Sequence, residues 1–261
     1  MSDIAIWLDL TCIVKKGDIV MNILSKKFSA FTLSEVLITL GVIGVVSAIT
    51  MPILVQNHQK QTTVNRLKSA YSTLYQAVQL SEADNGNVGE WDFTKNGEDF
   101  YNTYLAKYIK SVKTFPSTEY AEKANIKYLN GNICASDNWC NIVSATINKG
   151  VVLSNGTVII IEGCTVEHCT SLNTAIDING LKAPNTIGKD IFNFTIQQDN
   201  HTVVPFGLHK VHGATEGGKL FIRDDVVGTK FSHSCNKNKL GEYCAGLIML
   251  DGWKIAPDYP W

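Results

Sequence analysis

The sequence predicts an α+β protein: a long N-terminal helix packed on an antiparallel β-sheet of four to six strands. Three features predict it. An uncharged run near the N-terminus passes directly into an amphipathic helical repeat. After about residue 125, β-branched runs are divided by turn dipeptides. Six cysteines sit in the C-terminal half as three close pairs.

Residues 36–55, VLITLGVIGVVSAITMPILV, carry no charge. About twenty apolar residues suffice to cross a bilayer as a helix, which places a span at about 31–55. Lys26 and Lys27 precede it and belong on the cytoplasmic side. Beyond the span, Val64, Leu67, Tyr71, Leu74 and Val78 recur at steps of three and four, with Gln61, Arg66, Lys68 and Gln79 between them. That is one apolar stripe on an otherwise wet helix. ADNGN at 83–87 ends it. A helix over 31–82 is roughly 75 Å long at about 1.5 Å per residue. Its first half requires lipid or other helices, and its second half requires a domain to lie on. That domain is residues 83–261.

Within the domain, Asn96 is placed to cap a helix over about 98–112, with Glu98 and Asp99 in its first turn. Phe100, Tyr101, Tyr104, Leu105, Tyr108 and Ile109 form its apolar face. GVVLSNGTVIII at 150–161 reads as a hairpin turning at Asn155-Gly156. Residues 192–206 read as a second hairpin around Asp199-Asn200. Residues 246–255 read as a third, turning at Asp251-Gly252. Trp253, Tyr259 and Trp261 crowd the C-terminus, where aromatics cap a core more often than they form a patch.

The seven cysteines are Cys12, Cys134, Cys140, Cys164, Cys169, Cys235 and Cys244, with no CxxC. The three late pairs point to an oxidising compartment. Six cysteines allow fifteen pairings. Locality favours disulfides Cys134–Cys140, Cys164–Cys169 and Cys235–Cys244, each contributing about 2 kcal/mol by loop-closure entropy.

Net charge is −1, with no basic cluster along the chain, so nucleic acid is not an expected partner. Cys164-x3-His168-Cys169 is a poor zinc set, because adjacent His and Cys side chains do not easily converge on one ion. His209 and His212 lie in a Gly-rich loop. DINGLKAPNTIGKDIF at 177–192 offers the hard donors Asp177, Asn179 and Asp190, a calcium candidate. Its Gly180, Leu181 and Lys182 depart from an EF-type loop, so a Gly/Pro/Asn turn is the simpler reading and no cofactor is expected. No hydrolase, zincin, P-loop or dinucleotide motif is present, and no enzymatic role is expected.

Residues 26–35, KKFSAFTLSE, followed by VLITLGVIGVVSAITMP, carry a family signature. The segment resembles the leader and N-terminal helix of type IV pilins and type II secretion pseudopilins. There a basic leader ends in a small residue, usually Gly. The new N-terminus is usually Phe, then Thr-Leu, with Glu four residues after the Phe. The match here is Ala30, Phe31, Thr32, Leu33 and Glu35, with Pro52 where the family often has a helix proline. Ala30 departs from the usual Gly, and Ser34 from a bulky aliphatic. The likeness covers about 26–82.

The resemblance implies a pilin-like fold and a leader, 1–30, removed by a prepilin peptidase at Ala30/Phe31. It also implies N-methylation of Phe31, and pairing of Glu35 with the α-amine of a neighbouring subunit. Met21-NILSKKFSA reads as a complete short leader, so an internal start at Met21 is favoured over a long leader from Met1; Cys12 is absent from the mature chain on either reading. The implied partners are other pilin or pseudopilin subunits, an inner-membrane assembly platform, and the membrane itself before assembly. The implied location is a single pass through the inner membrane with the C-terminal domain outside the cytoplasm. A type II secretion pseudopilus is favoured. A minor type IV pilin for adhesion, motility or DNA uptake, and a membrane-anchored periplasmic binding protein or enzyme that never assembles, stay open.

Overall fold

The computed structural model describes residues 32–134, 140, 147–164, 169–198, 203–208 and 222–261. The chain divides into two compact units, Met1–Leu54 and Val55–Trp261. Helix α1, Leu33–Asn85, contributes to both. It stays helical through Pro52 and ends before Gly86, which takes a positive φ of 80°.

In the second unit, α1 buries Val64, Leu67, Ala70, Leu74, Ala77, Val78 and Ser81. This is the stripe read from the sequence, with alanines completing it and Tyr71 half-buried beside it. The stripe packs on an antiparallel sheet whose six strands lie side by side in chain order. They are β1 Ser111–Pro116, β2 Lys149–Leu153, β3 Val158–Ile161, β4 Ser171–Asp177, β5 Ile191–Gln197 and β6 Val203–Pro205. Strand residues alternate between two faces. Val151, Ile159, Ile161, Leu172, Ile176, Phe192, Phe194 and Ile196 join the α1 stripe in one apolar core. Val158, Ile160, Ala175 and Ile191 face the other way. They meet Phe115, Tyr120 and Ile126 in a second, smaller core around helix α3, Ser117–Ala124. Both faces are therefore covered, which is why β3 reads as four consecutive β-branched apolar residues.

The hairpin at Asn155-Gly156 forms as read, with Val152 opposite Val158 and Gly156 at φ 83°. The second hairpin pairs β5 with β6; its turn at Asp199-Asn200 lies outside the described residues. Gly150 sits opposite Phe115, whose ring lies 2.3 Å from where a Cβ would stand. Only glycine admits the ring there.

Two expected elements differ. The helix read at 98–112 is only α2, Gly97–Phe100, continued by one wide turn, Tyr101–Leu105. Ala106 N–H reaches back five residues to Tyr101 O at 2.8 Å, a π-type bond. The chain then leaves the helix and Ser111–Pro116 becomes β1, drawn into the sheet by the pairing of Thr114 with Val151 and Phe115 with Gly150. The Asn96 cap is correct, its Oδ1 accepting Asp99 N–H at 2.8 Å, and so is most of the apolar face.

The third hairpin does not exist. Cys244–Leu250 is a helix, α5, and Asp251-Gly252 is its end. Trp253 N–H donates to Ile248 O at 2.8 Å and Gly252 N–H to Met249 O at 3.0 Å. That is the Schellman pattern, with Gly252 at φ 71°. A short helix, α4, spans Arg223–Val227. The terminal aromatics cap the core. Tyr259 is buried with its hydroxyl donating to Gly188 O, and Trp253 packs against Tyr71 at 5.3 Å between ring centroids.

The three disulfides join Cys134 to Cys140, Cys164 to Cys169 and Cys235 to Cys244, the local pairing. Cys12 lies outside the described residues.

Leu74 is fully buried on the stripe, whereas Gln76 points to water. Leu74→Ala lowers the unfolding free energy by about 3 kcal/mol through the cavity it leaves. Gln76→Ala changes it by less than about 0.5 kcal/mol. Chemical denaturation of the detergent-solubilised protein measures both.

Candidate assembly and membrane segment

In the first unit, the described residues present exposed apolar surface. Thirteen large apolar side chains from Leu33 to Leu54 are exposed, most of them by more than half. At about 1.5 kcal/mol for each fully buried side chain, discounted for partial exposure, they withhold on the order of 10 to 20 kcal/mol from a water-exposed chain. That matches or exceeds the whole stability of an ordinary domain, so the segment is not built for water. It is long and apolar enough to span a membrane. Gly41 and Gly44 leave open space where side chains would stand.

Thr32 opens α1. Its carbonyl accepts Val36 N–H at 3.2 Å, the first helical bond. Its hydroxyl accepts Glu35 N–H at 3.2 Å, and Glu35 Oε2 accepts Thr32 N–H at 2.8 Å and Thr32 Oγ1–H at 3.0 Å. Thr32-Leu-Ser-Glu35 is thus a capping box, which satisfies two otherwise orphan groups and places a carboxylate at the positive end of the helix. The Thr-x-x-Glu spacing is itself a helix-start signal in the sequence, separate from the intermolecular pairing that the resemblance implies for Glu35. Both Thr32 bonds go to Oε2, and Oε1 has no partner among the described residues. Pro52 lacks the N–H that would bond Ala48 O. Ala30 and Phe31 lie outside the described residues.

Two of the calcium candidates, Asp177 and Asp190, accept hydrogen bonds within a turn, while the side-chain oxygen of the third, Asn179, is buried without a partner among the described residues. Asp177 Oδ1 accepts Asn179 N–H at 3.0 Å and Gly180 N–H at 2.9 Å, while Oδ2 accepts the Tyr120 hydroxyl. Asp190 accepts Asn185 N–H at 2.7 Å and Thr186 N–H at 2.6 Å. Each carboxylate is occupied by donors that fold the 177–191 loop. No group of three or more His, Cys, Asp or Glu among the described residues is arranged to hold a metal ion. Cys164 and Cys169 are bonded to each other, and His168, His209 and His212 lie outside the described residues.

Burial pushes the Asp177 carboxyl up to about 7, against the pull of its hydrogen-bond donors. Burial raises Asp190 and Glu162 as well. A raised carboxyl pKa means the folded state holds a proton that the unfolded state releases. The contribution of Asp177 to stability is therefore greatest below the ordinary value near 3.8 and falls as pH rises to about 7. Asp177→Asn flattens that slope, which denaturant titrations between about pH 4 and about pH 7.5 would detect. An unchanged slope would remove Asp177 as its source.

No curated protein matches the chain, and no solved structure matches it. A family of unknown function, DUF6613, matches residues 53–261, the stretch that carries the amphipathic part of α1, the sheet and the three disulfides. The match covers most of the chain, and the protein belongs to that family.

Proposed function

We propose that the protein is a structural subunit of a pilus-like fibre, a pseudopilus of type II secretion in the first instance. In this reading it is cut at Ala30/Phe31 by a prepilin peptidase, N-methylated at Phe31, and assembled through the Leu33–Leu54 segment. One observation carries the reading: an uncovered, uncharged helix headed by one carboxylate, Glu35, with one oxygen unpartnered. Before assembly the segment lies in the inner membrane with the disulfide-bonded domain on the oxidising side. In the fibre, the same segments cover one another. The resemblance over 26–82 supports this order of events, and the α+β architecture with a long N-terminal helix agrees with it.

Glu35 then has two tasks. It caps its own helix, and it offers charge to the new α-amine of a neighbour. A buried carboxylate in an apolar bundle is costly without such a cation.

Two measurements test this. N-terminal sequencing of the mature protein gives Phe-Thr-Leu-Ser-Glu; a chain retaining Lys26-Lys27 overturns the proposal. Glu35→Gln keeps a capping-box residue but removes the charge. Processing is unchanged and fibre yield by electron microscopy falls at least about tenfold, the equivalent of 1.4 kcal/mol. Wild-type yield from Glu35→Gln would leave capping as the only role of Glu35.

A further inference from the structure

The fold assembles a basic groove that the sequence does not display. Arg66 on α1, Lys113 on β1, Lys123 on α3 and Lys182 in the loop after β4 line one groove of about 440 Å³. They come from four separate stretches of chain. One carboxylate faces them: Glu119 accepts from Lys113 at 3.2 Å and Lys123 at 3.0 Å. The groove thus holds a formal excess of three positive charges. Arg66 and Lys182 have no ion-pair partner among the described residues. Asp177 lies beneath Tyr120 and is turned to backbone donors, so it does not neutralise the rim. The base is apolar, with Phe115, Val158 and a half-exposed Leu181. A groove of this kind accepts an acidic segment.

The same chain carries that complement. Residues 82–99 hold six carboxylates and one lysine. Lys107 pairs with Asp84, and Lys149 with Glu98 at 2.7 Å. After these pairs and Lys95 on Asp92 at 3.6 Å, three negative charges are left over. Glu90 and Asp99 are exposed and have no cation partner among the described residues. Along α1, Arg66 and Glu82 are sixteen residues apart, about 24 Å. A basic groove and an acidic segment offset along one helix are placed to meet between copies rather than within one.

We propose that the groove receives the acidic 82–99 segment of a second copy, and that this charge match sets the register between stacked copies. It rests on the assembly reading for why copies stand side by side, but its chemistry is independent of leader cleavage. Arg66 and Lys182 attract Glu90 and Asp99 of the neighbour, while Leu181 and Phe115 exclude water from the contact.

The test uses the full chain in detergent micelles with two epitope tags, and reads how much of one tagged copy co-purifies with the other. Arg66→Glu with Lys182→Glu reduces co-purification at least about tenfold, and Glu90→Lys with Asp99→Lys does the same. Mixing the two reversed chains restores it to within about threefold, because each now carries the charge the other lost. Wild-type pairing also weakens between about 50 mM and about 500 mM NaCl, a readout that needs no variant. Salt-independent pairing, or reversed chains that fail to recover when mixed although circular dichroism shows them folded, would overturn the proposal. So would groove reversal that leaves pairing intact but abolishes binding to vesicles of phosphatidylcholine and phosphatidylserine, since that assigns the groove to a membrane. An uncleaved N-terminus with salt-sensitive pairing intact would remove the fibre and keep the groove.

Discussion

The burial of one helical stripe against one sheet face is the contact on which the rest of the structure depends. Leu67, Leu74 and Val78 are wholly excluded from water, and Tyr71 stacks on Phe194 at 5.5 Å between centroids. Its hydroxyl also donates to Val203 O at 3.4 Å, joining α1 to the last strand. Burying Val64, Leu67, Leu74 and Val78 contributes roughly 6 to 12 kcal/mol as an upper bound, comparable to a whole domain's net stability. Alanines at 70 and 77 bring the helix backbone close enough for the aromatic face of β5 to fill the space. Once that face is fixed, the pleat places the other face under α3, and the second core follows.

The same helix has two solvents to satisfy. Over Leu33–Leu54 its side chains find none of the apolar cover that the stripe finds in the sheet. Propensity treats both halves alike; the distribution of charge separates them. The capping box at Thr32 and Glu35 starts the helix without help from any other element. The segment therefore keeps its form in whatever apolar medium receives it.

Much of this was legible in the sequence, for a physical reason in each case. The stripe repeats five times, so its period survives local noise. Asn155-Gly156 flanked by β-branched runs has few other solutions. Asp251-Gly252 reads as a hairpin turn because a left-handed glycine ends a helix as readily as it turns a hairpin, and four apolar residues, Leu247–Leu250, have no period long enough to decide. The turn at Tyr101–Leu105 was invisible, since one π-type bond leaves no mark on composition. Strands β1 and β4 mix adjacent polar residues, Lys113-Thr114 and Asn173-Thr174, with apolar ones, so no period of two marks them. The donors that Asp177 and Asp190 accept from are not legible, because burial and backbone partners are not carried by residue type. The basic groove was hidden for a simpler reason: its four cations stand at 66, 113, 123 and 182, and only folding makes them neighbours.

The three disulfides are separated by six, five and nine residues. Short loops close at little entropic cost, and they close early. A cysteine emerging with the growing chain meets its proper partner within a few residues, before any cysteine of the next pair has appeared. The order of emergence thus does the sorting that fifteen alternative pairings would otherwise demand. Pairing can keep pace with the emerging chain, and the sheet can close afterwards around bridges already in place.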